Sequence, residues 1–542
     1  MTELHHLTIT QAAELLRSRR LSSVEYVGAL LARIEALDPQ INAFITLTGE
    51  LALEQARRAD AEIAAARYRG PMHGIPIALK DIYHTAGIRT TGYSKVYANH
   101  VPAHNASTLE RLYDAGAVLL GKVATAELAH GAASFEAPWP PARNPWNPAH
   151  ATGVSSSGSG AAVAAGFAPM AMGSDTGGSV RIPAAMCGTV GLKPTTGLVG
   201  RSGVIPNSYS FDHCGPLTWT VEDNAIALAA IAGYDPHDAG SIRVEIPDYR
   251  SACGGDIRGM RVGVVRHFWE EDFKIDPELA QAMDAAIDVM RRLGARVEDV
   301  RMRPCQEYTD MKMVIAETEI FCVHHQELIE RPRDFGRNFL VQTLAGCLFQ
   351  SADYVEAQRS RRLVLREMED IYRNHEVLVT ASSSPAPSFE FFSTFNAWIK
   401  PNIQTVFSVT GGPALAVCSG FTRAGLPLSM QIAGRPFGEL EVFRVAHAYE
   451  QATAWRQRRP DLIAGTPRVP VTPPPVLSGA SVDPSVRERA LSMARSAGLN
   501  LDDELAALLV AMAPYAFAMA ARIRRDHRHA DEPANVFAFP SA

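Results

Sequence analysis

The sequence predicts an α/β fold in which a large central sheet is preceded by two helices and followed by a small helical module. Three observations carry this reading. Short apolar runs alternate with helical stretches between residues 74 and 434, paired helix-start signals stand at Thr8 and Ser22, and a proline-dense segment follows residue 465.

At the start of the chain, Thr8 with Gln11 and Ser22 with Glu25 have capping-box spacing. Val24, Val27, Leu31 and Ile34 then fall on one helical face, and Asp38-Pro39 is expected to end that helix. "GIPIAL" before Lys80, "GMRVGVV" from Gly259, "EVLVTAS" from Glu376 and "LSMQIAG" from Leu428 are short apolar runs of strand length, interleaved with helical text. This is the α/β pattern. At 466–484 the text "TPRVPVTPPPVLSGASVDP" marks an extended linker, which divides a catalytic domain over 1–465 from a helical C-terminal module over 485–542. In that module Asp483-Pro484 starts a helix and Gly498 stops it. Leu505, Leu508, Leu509 and Met512 stripe a second helix, expected to be interrupted near Pro514.

Composition narrows the function classes. The 542 residues are 47% hydrophobic and 20% charged, enough for a large core, and the net charge of -6 is spread without a basic block. Nucleic acid is therefore not an expected partner. The N-terminus lacks the pattern of a secretory signal, and no stretch reaches the roughly 18 to 20 uncharged apolar residues of a membrane span. Seven cysteines without paired short spacing fit a reducing compartment, so a cytoplasmic protein is expected. His5-His6 and His324-His325 lack further ligands at metal spacing, and no metal is expected.

The chemistry concentrates in residues 153–181, "GVSSSGSGAAVAAGFAPMAMGSDTGGSVR". Gly153 and Gly158 have the glycine spacing of a phosphate-binding loop, but Ser159 stands where its lysine belongs. Ser179 in "GGSVR" does not complete a G-x-S-x-G elbow, because Arg181 takes the last glycine's place. Turn-forming glycines and a closely packed small-residue helix would also account for either cluster alone. Upstream, the run ending "GIPIALKD" leaves Lys80 either paired with Asp81 at a solvated strand end, or buried, where a neutral amine becomes available as a base.

Together, Lys80, "SSSGSG" and "GSDTGGSVRIPAAMCGTVGLKPT" resemble the amidase signature family from about residue 8 to 460, and "GGPALAVCSGF" and "GLPLSMQIAGRPFGE" resemble its closing strands. The resemblance implies a mixed central sheet covered by helices on both faces. It places the family's catalytic positions on Lys80, Ser155 and Ser179, separated by 75 and 24 residues. Ser179 would be the nucleophile, Ser155 the proton relay and Lys80 the base. The N–H groups of Thr176, Gly177, Gly178 and Ser179 would hold the oxyanion, and Asp175, Arg181 and Ser156 would support the loop. The family's bridging serine follows a cis peptide bond, so a cis Val154-Ser155 bond is expected here, although Val154 and Ser157 stand where glycine is common.

The implied activity is amide hydrolysis without metal or organic cofactor, on a small-molecule amide. Carbamates and ureido acids fit the same chemistry, and an amidotransferase subunit or a non-catalytic scaffold are the other readings. Phe135 and Trp139 in "ELAHGAASFEAPWPPARNPW" are candidates for a substrate pocket, as are Phe321, Phe349, Phe391, Phe392 and Trp398 for a channel over it. The tail "ARSAGLNLDDELAALLVAMAPYAFAMAARI" with "DEPANVFAF" resembles the small helical subunit that accompanies 1-carboxybiuret hydrolase, which would favour small ureido or carbamoyl substrates. Family habit implies a homodimer.

Overall fold

The computed structural model describes residues 3–523 and 525, apart from Phe273 and residues 478–480. Thirteen strands appear in chain order: β1 Phe44–Leu47, β2 Pro76–Lys80, β3 Val118–Val123, β4 Arg143–Asn144, β5 Asn147–Ala151, β6 Met170–Asp175, β7 Val190–Lys193, β8 His213–Thr218, β9 Arg261–Val264, β10 Arg296–Asp299, β11 Val377–Ala381, β12 Ala414–Phe421 and β13 Pro427–Gly434. β4 and β5 form a separate pair. The other eleven make one sheet in the order β1-β3-β2-β6-β8-β7-β12-β13-β11-β9-β10.

The sheet is mixed. β3, β2 and β6 run parallel to one another, as do β11, β9 and β10, while the strands between them pair antiparallel. Every residue of β2, β3, β6, β8, β11 and β13 is buried. Successive side chains point to opposite faces, so strands buried throughout require cover on both. All four apolar runs read from the sequence lie in this sheet.

The first two helices form as their caps predict. Thr8 and Gln11 make a reciprocal capping box, and the Ser22 hydroxyl accepts from the Glu25 N–H. The second helix, Ser23–Ile41, passes through Pro39 instead of ending there and stops at Asn42 in the left-handed region. Pro39 lies in the last turn, where one lost hydrogen bond is cheap, and the Asp38 carboxylate accepts from Ala43 and Phe44 N–H to fix the exit. Its buried face is Tyr26, Val27, Leu30, Ile34 and Leu37, with Val24 and Leu31 at the margin.

The segment 466–477 contains no helix or strand. After it, Asp483 caps the helix Pro484–Ser496, and Asp502 caps Asp503–Arg522. The latter runs unbroken through Pro514, against expectation. Leu505, Leu508, Leu509 and Met512 are all buried, and packing against the Cys305–Val323 helix offsets the missing N–H. By length and composition this helix could cross a membrane, but 56% of its most apolar window is buried inside the protein. With Asp503, Glu504 and Arg522 at its ends, it falls just short of an uncharged span of 18 residues. Arg522 pairs with Asp310 at 2.7 Å, and Arg333 pairs with Asp502 and with Glu504 at 2.5 Å. The "DEPANVFAF" stretch lies outside the described residues.

Candidate active site

Register explains how the site assembles. β2 and β6 are parallel neighbours with Leu79 opposite Met172, which brings the ends of both strands, Lys80 and Ser174-Asp175, to one edge of the sheet. The helix Ser157–Ala164 leads into β6 and runs back against it, so its N-terminus, with Ser155 and Ser156, returns to the same edge. The carboxyl ends of parallel strands are where α/β sheets place their sites.

The small-residue helix can approach because Gly158 has no side chain: a Cβ there would lie 2.3 Å from Ala124 N and 2.7 Å from Ala43 O. The close packing expected of the small-residue cluster is therefore present.

Lys80 is wholly buried, and Asp81 pairs with Lys122 at 3.7 Å rather than with it. The Lys80 amine meets three hydroxyls, Ser155 Oγ at 2.7 Å, Ser174 Oγ at 2.8 Å and Ser156 Oγ at 3.2 Å. Burial pushes it down to about 7, against a partial upward pull from Asp212 and Asp175. Ser174 is absent from the sequence-derived set, although its place directly before Asp175 at a strand end was a usable signal. Ser156 also accepts from the Ser174 N–H and donates to the Ser174 carbonyl, locking the two segments together.

Ser179 lies two residues before the helix Arg181–Cys187, at the wall of a cavity of about 100 Å3. The loop is held by Asp175, whose Oδ1 accepts from the Gly178 N–H at 2.7 Å and whose Oδ2 accepts from Val180 N–H at 3.1 Å. The same carboxylate takes two hydrogen bonds from the Arg181 guanidinium, at 2.9 and 3.0 Å. Burial alone would raise the Asp175 carboxyl, but Arg181 holds it well below the usual range. Arg181 is itself fully buried, donating further to Gln404 O, Gln431 Oε1 and Ser408 Oγ. Gly178 has φ +117° and no room for a Cβ, which would come within 2.7 Å of Gln404 Cβ.

Three expectations change. The Val154-Ser155 bond is trans, there being no cis bond among the described residues, and Ser155 reaches Lys80 without one, so nothing offsets the ~3 kcal/mol a non-proline cis bond costs. The Gly178 N–H is committed to Asp175 and so is not available as one of the expected oxyanion donors, whereas the Thr176, Gly177 and Ser179 N–H groups have no hydrogen-bond acceptor among the described residues. Phe135 and Trp139 do not line the cavity: Phe135 packs edge-on against Phe389, and Trp139 lies against Tyr93 with Arg89 over its ring. Among the described residues the Ser179 hydroxyl makes no hydrogen bond, so its link to Ser155 is not closed in this state.

Most of the cavity wall comes from residues without a local sequence signal, including His130, Asn207, Lys312, Gln342 and Asn402. Of the aromatics expected near a channel only Trp398 lines it. Phe321 and Phe349 are core residues, Phe392 is partly buried beside Ile182 and Met186, and Phe391 is exposed. Behind the wall, buried Glu317 stands 3.1 Å from His130 Nε2 and 3.7 Å from Lys312 Nζ. Burial would raise its carboxyl, but the neighbouring His130 and Lys312 hold it low. Contrary to the expectation that the His5-His6 pair lacks a further ligand, Glu3, His5 and His6 cluster closely enough to hold a metal ion.

A buried amine against three serine hydroxyls thus stands beside a partly buried loop serine on a mixed α/β sheet. The Amidase family model matches residues 25–443, and the chain belongs to that family. A glutamyl-tRNA(Gln) amidotransferase subunit from Chloroflexus aurantiacus is 39% identical, over 85% of this chain and all of that protein. Among solved structures, a protein from a vestigial complex linked to the origins of an s-triazine catabolic enzyme superposes with a TM-score of 0.77 at 32% identity, covering 82% of this chain and 98% of its own. The peptide amidase of Stenotrophomonas maltophilia superposes at 0.73 with 30% identity, covering 84% and 98%. The protein is thus an enzyme of amide C–N bonds.

Proposed function

We propose that the protein is an amidohydrolase that cleaves small-molecule amides through a Ser179 acyl-enzyme, needing neither metal nor organic cofactor. The observation that carries this is the buried Lys80 amine, held near 7 and 2.7 Å from the Ser155 hydroxyl.

A neutral amine has two N–H donors and one lone pair. Donating to Ser156 and Ser174 leaves the lone pair for the Ser155 proton. As Ser179 Oγ attacks the carbonyl, its proton passes to Ser155 Oγ while the Ser155 proton passes to Lys80 Nζ. The free Gly177 and Ser179 N–H groups, with Thr176, receive the oxyanion, each such donor typically contributing ~3 to 4 kcal/mol. Collapse of the tetrahedral adduct returns a proton through Ser155 to the leaving nitrogen. Water then attacks the acyl-enzyme by the same route, which releases the acid and restores Ser179.

The small cavity favours short acyl groups, and carbamates or ureido acids react by identical steps. The 39% identity to an amidotransferase subunit supports a second reading, in which the released ammonia is passed to a partner. A cytoplasmic location belongs to the proposal and is supported by seven unpaired cysteines.

The test is intact-protein mass spectrometry of wild type and Ser179→Ala after incubation with a fluorophosphonate and with a panel of amides, carbamates, ureido acids and glutamine. An adduct and turnover in wild type alone support the reading. Equal labelling of both proteins sinks it, and turnover confined to glutamine favours the amidotransferase reading.

A further inference from the structure

We infer that the substrate carries a carboxylate on its acyl side and that Lys312 holds it beside the scissile carbonyl. This rests on the amidohydrolase reading.

The first observation is position. Lys312 Cε lies 3.2 Å, and Nζ 3.8 Å, from where a Cβ on Gly177 would stand. Gly177 offers one of the free oxyanion N–H groups, so the ammonium stands next to the place of the reacting carbonyl. The leaving nitrogen must face Ser155, which returns its proton, and a group held at Gly177 therefore belongs to the acyl side.

The second is incomplete hydrogen bonding. Lys312 is about nine-tenths buried, with a side-chain exposure of 11%. Its ammonium has Met313 Sδ at 3.4 Å and Glu317 Oε1 at 3.7 Å, beyond hydrogen-bond reach. Among the described residues Lys312 makes no hydrogen bond to oxygen or nitrogen, so with one N–H toward Met313 Sδ two donors are left for a ligand. The Glu317 ion pair balances the charge without a direct hydrogen bond, and an incoming carboxylate supplies the acceptors that the buried ammonium lacks.

The third is the sign of the cavity. Its lining includes Lys312, Lys400 and His130 together with the amides of Asn207, Gln342 and Asn402, and contains no carboxylate. Glu317 lies behind this surface and not on it. Such a lining attracts an anion and repels an ammonium-bearing acyl group. The cavity's volume of about 100 Å3 favours a short acyl chain.

The test pairs substrates of matched shape: succinamate against butyramide, and malonamate against propanamide. Ammonia release is measured for wild type, Lys312→Met and Lys312→Arg, and binding of the intact amides to Ser179→Ala, with and without Lys312→Met, is measured by calorimetry. Wild type should prefer the carboxylate member by tenfold or more in kcat/KM. Lys312→Met should bring that ratio close to one, mainly through KM, and Lys312→Arg should retain most of it. Equal rates on both members in wild type overturn the inference and leave amide hydrolysis standing. An equal fall in kcat on both members in Lys312→Met also overturns it, because the ammonium would then be serving the oxyanion. If no amide is hydrolysed but Ser179→Ala binds succinamate over butyramide only when Lys312 is present, the anion site stands and the hydrolase reading falls. No binding and no turnover overturn both.

Discussion

Titration of Lys80 should set the lower limb of the pH profile. In water a lysine near 10.5 is only about 0.1% neutral at pH 7.5, whereas an amine held at about 7 is roughly three-quarters neutral, a gain of several hundredfold in available base. Below pH 7 the amine is protonated and has no lone pair for Ser155, so kcat/KM should rise through one ionisation near 7 and level off above 8. Lys80→Met should lose about 10^2 to 10^4 in kcat, the usual worth of a positioned base, and should lose the rising limb with it. The same shift bears on stability. The folded protein binds fewer protons than the unfolded chain between pH 7 and 10.5, so stability rises with pH across that window and is flat below it. A shift of this size corresponds to about 5 kcal/mol at most. Lys122, pushed by burial down to about 8, and Lys193, pushed by burial down to about 7, titrate in the same window. The diagnostic quantity is therefore the difference in denaturation slope between wild type and Lys80→Met. A kcat/KM profile flat from pH 6 to 9, or a limb that survives in Lys80→Met, would refute this account of the base.

Other perturbations test the supports. Ser174→Ala removes one acceptor from the charged amine, so the limb near pH 7 should move to lower pH and kcat/KM fall by roughly tenfold as positioning loosens. An unmoved limb would show that Ser174 does not touch the working amine. Gly178→Ala places a Cβ within 2.7 Å of Gln404 at φ +117°, and should cost at least ~1 to 3 kcal/mol in denaturant unfolding while displacing the nucleophile loop. Arg181→Met strands the buried Asp175 charge and should cost roughly 3 to 5 kcal/mol, read as a lower denaturation midpoint. Leu509→Asp should release the C-terminal helix pair, seen as new proteolytic cleavage after residue 465. Because that pair packs on the Cys305–Val323 helix, which carries Lys312, activity should fall with it.

What could be read in the sequence is what depends on neighbours in the chain. Caps at Thr8, Ser22 and Asp483 act over two or three residues, and apolar runs of strand length mark β2, β9, β11 and β13 directly. The proposed reacting groups were legible through the family resemblance of short motifs, and the fold brings Lys80 and Ser155 into contact. Where local rules failed, packing had overridden them: Pro39 and Pro514 both lie inside helices whose buried faces outweigh one missing hydrogen bond. Only the tertiary structure decided which N–H groups of the Ser179 loop remain free, because the Asp175 carboxylate could be aimed at Gly178 only once Arg181 and Gln404 enclosed it. It also decided the pocket. His130, Asn207 and Lys312 are far apart in the chain and meet only when the helix Cys305–Val323 packs among the helices around the site. Such contacts depend on the closure of long loops, and no short window of sequence records which side chains a closed loop will bring face to face.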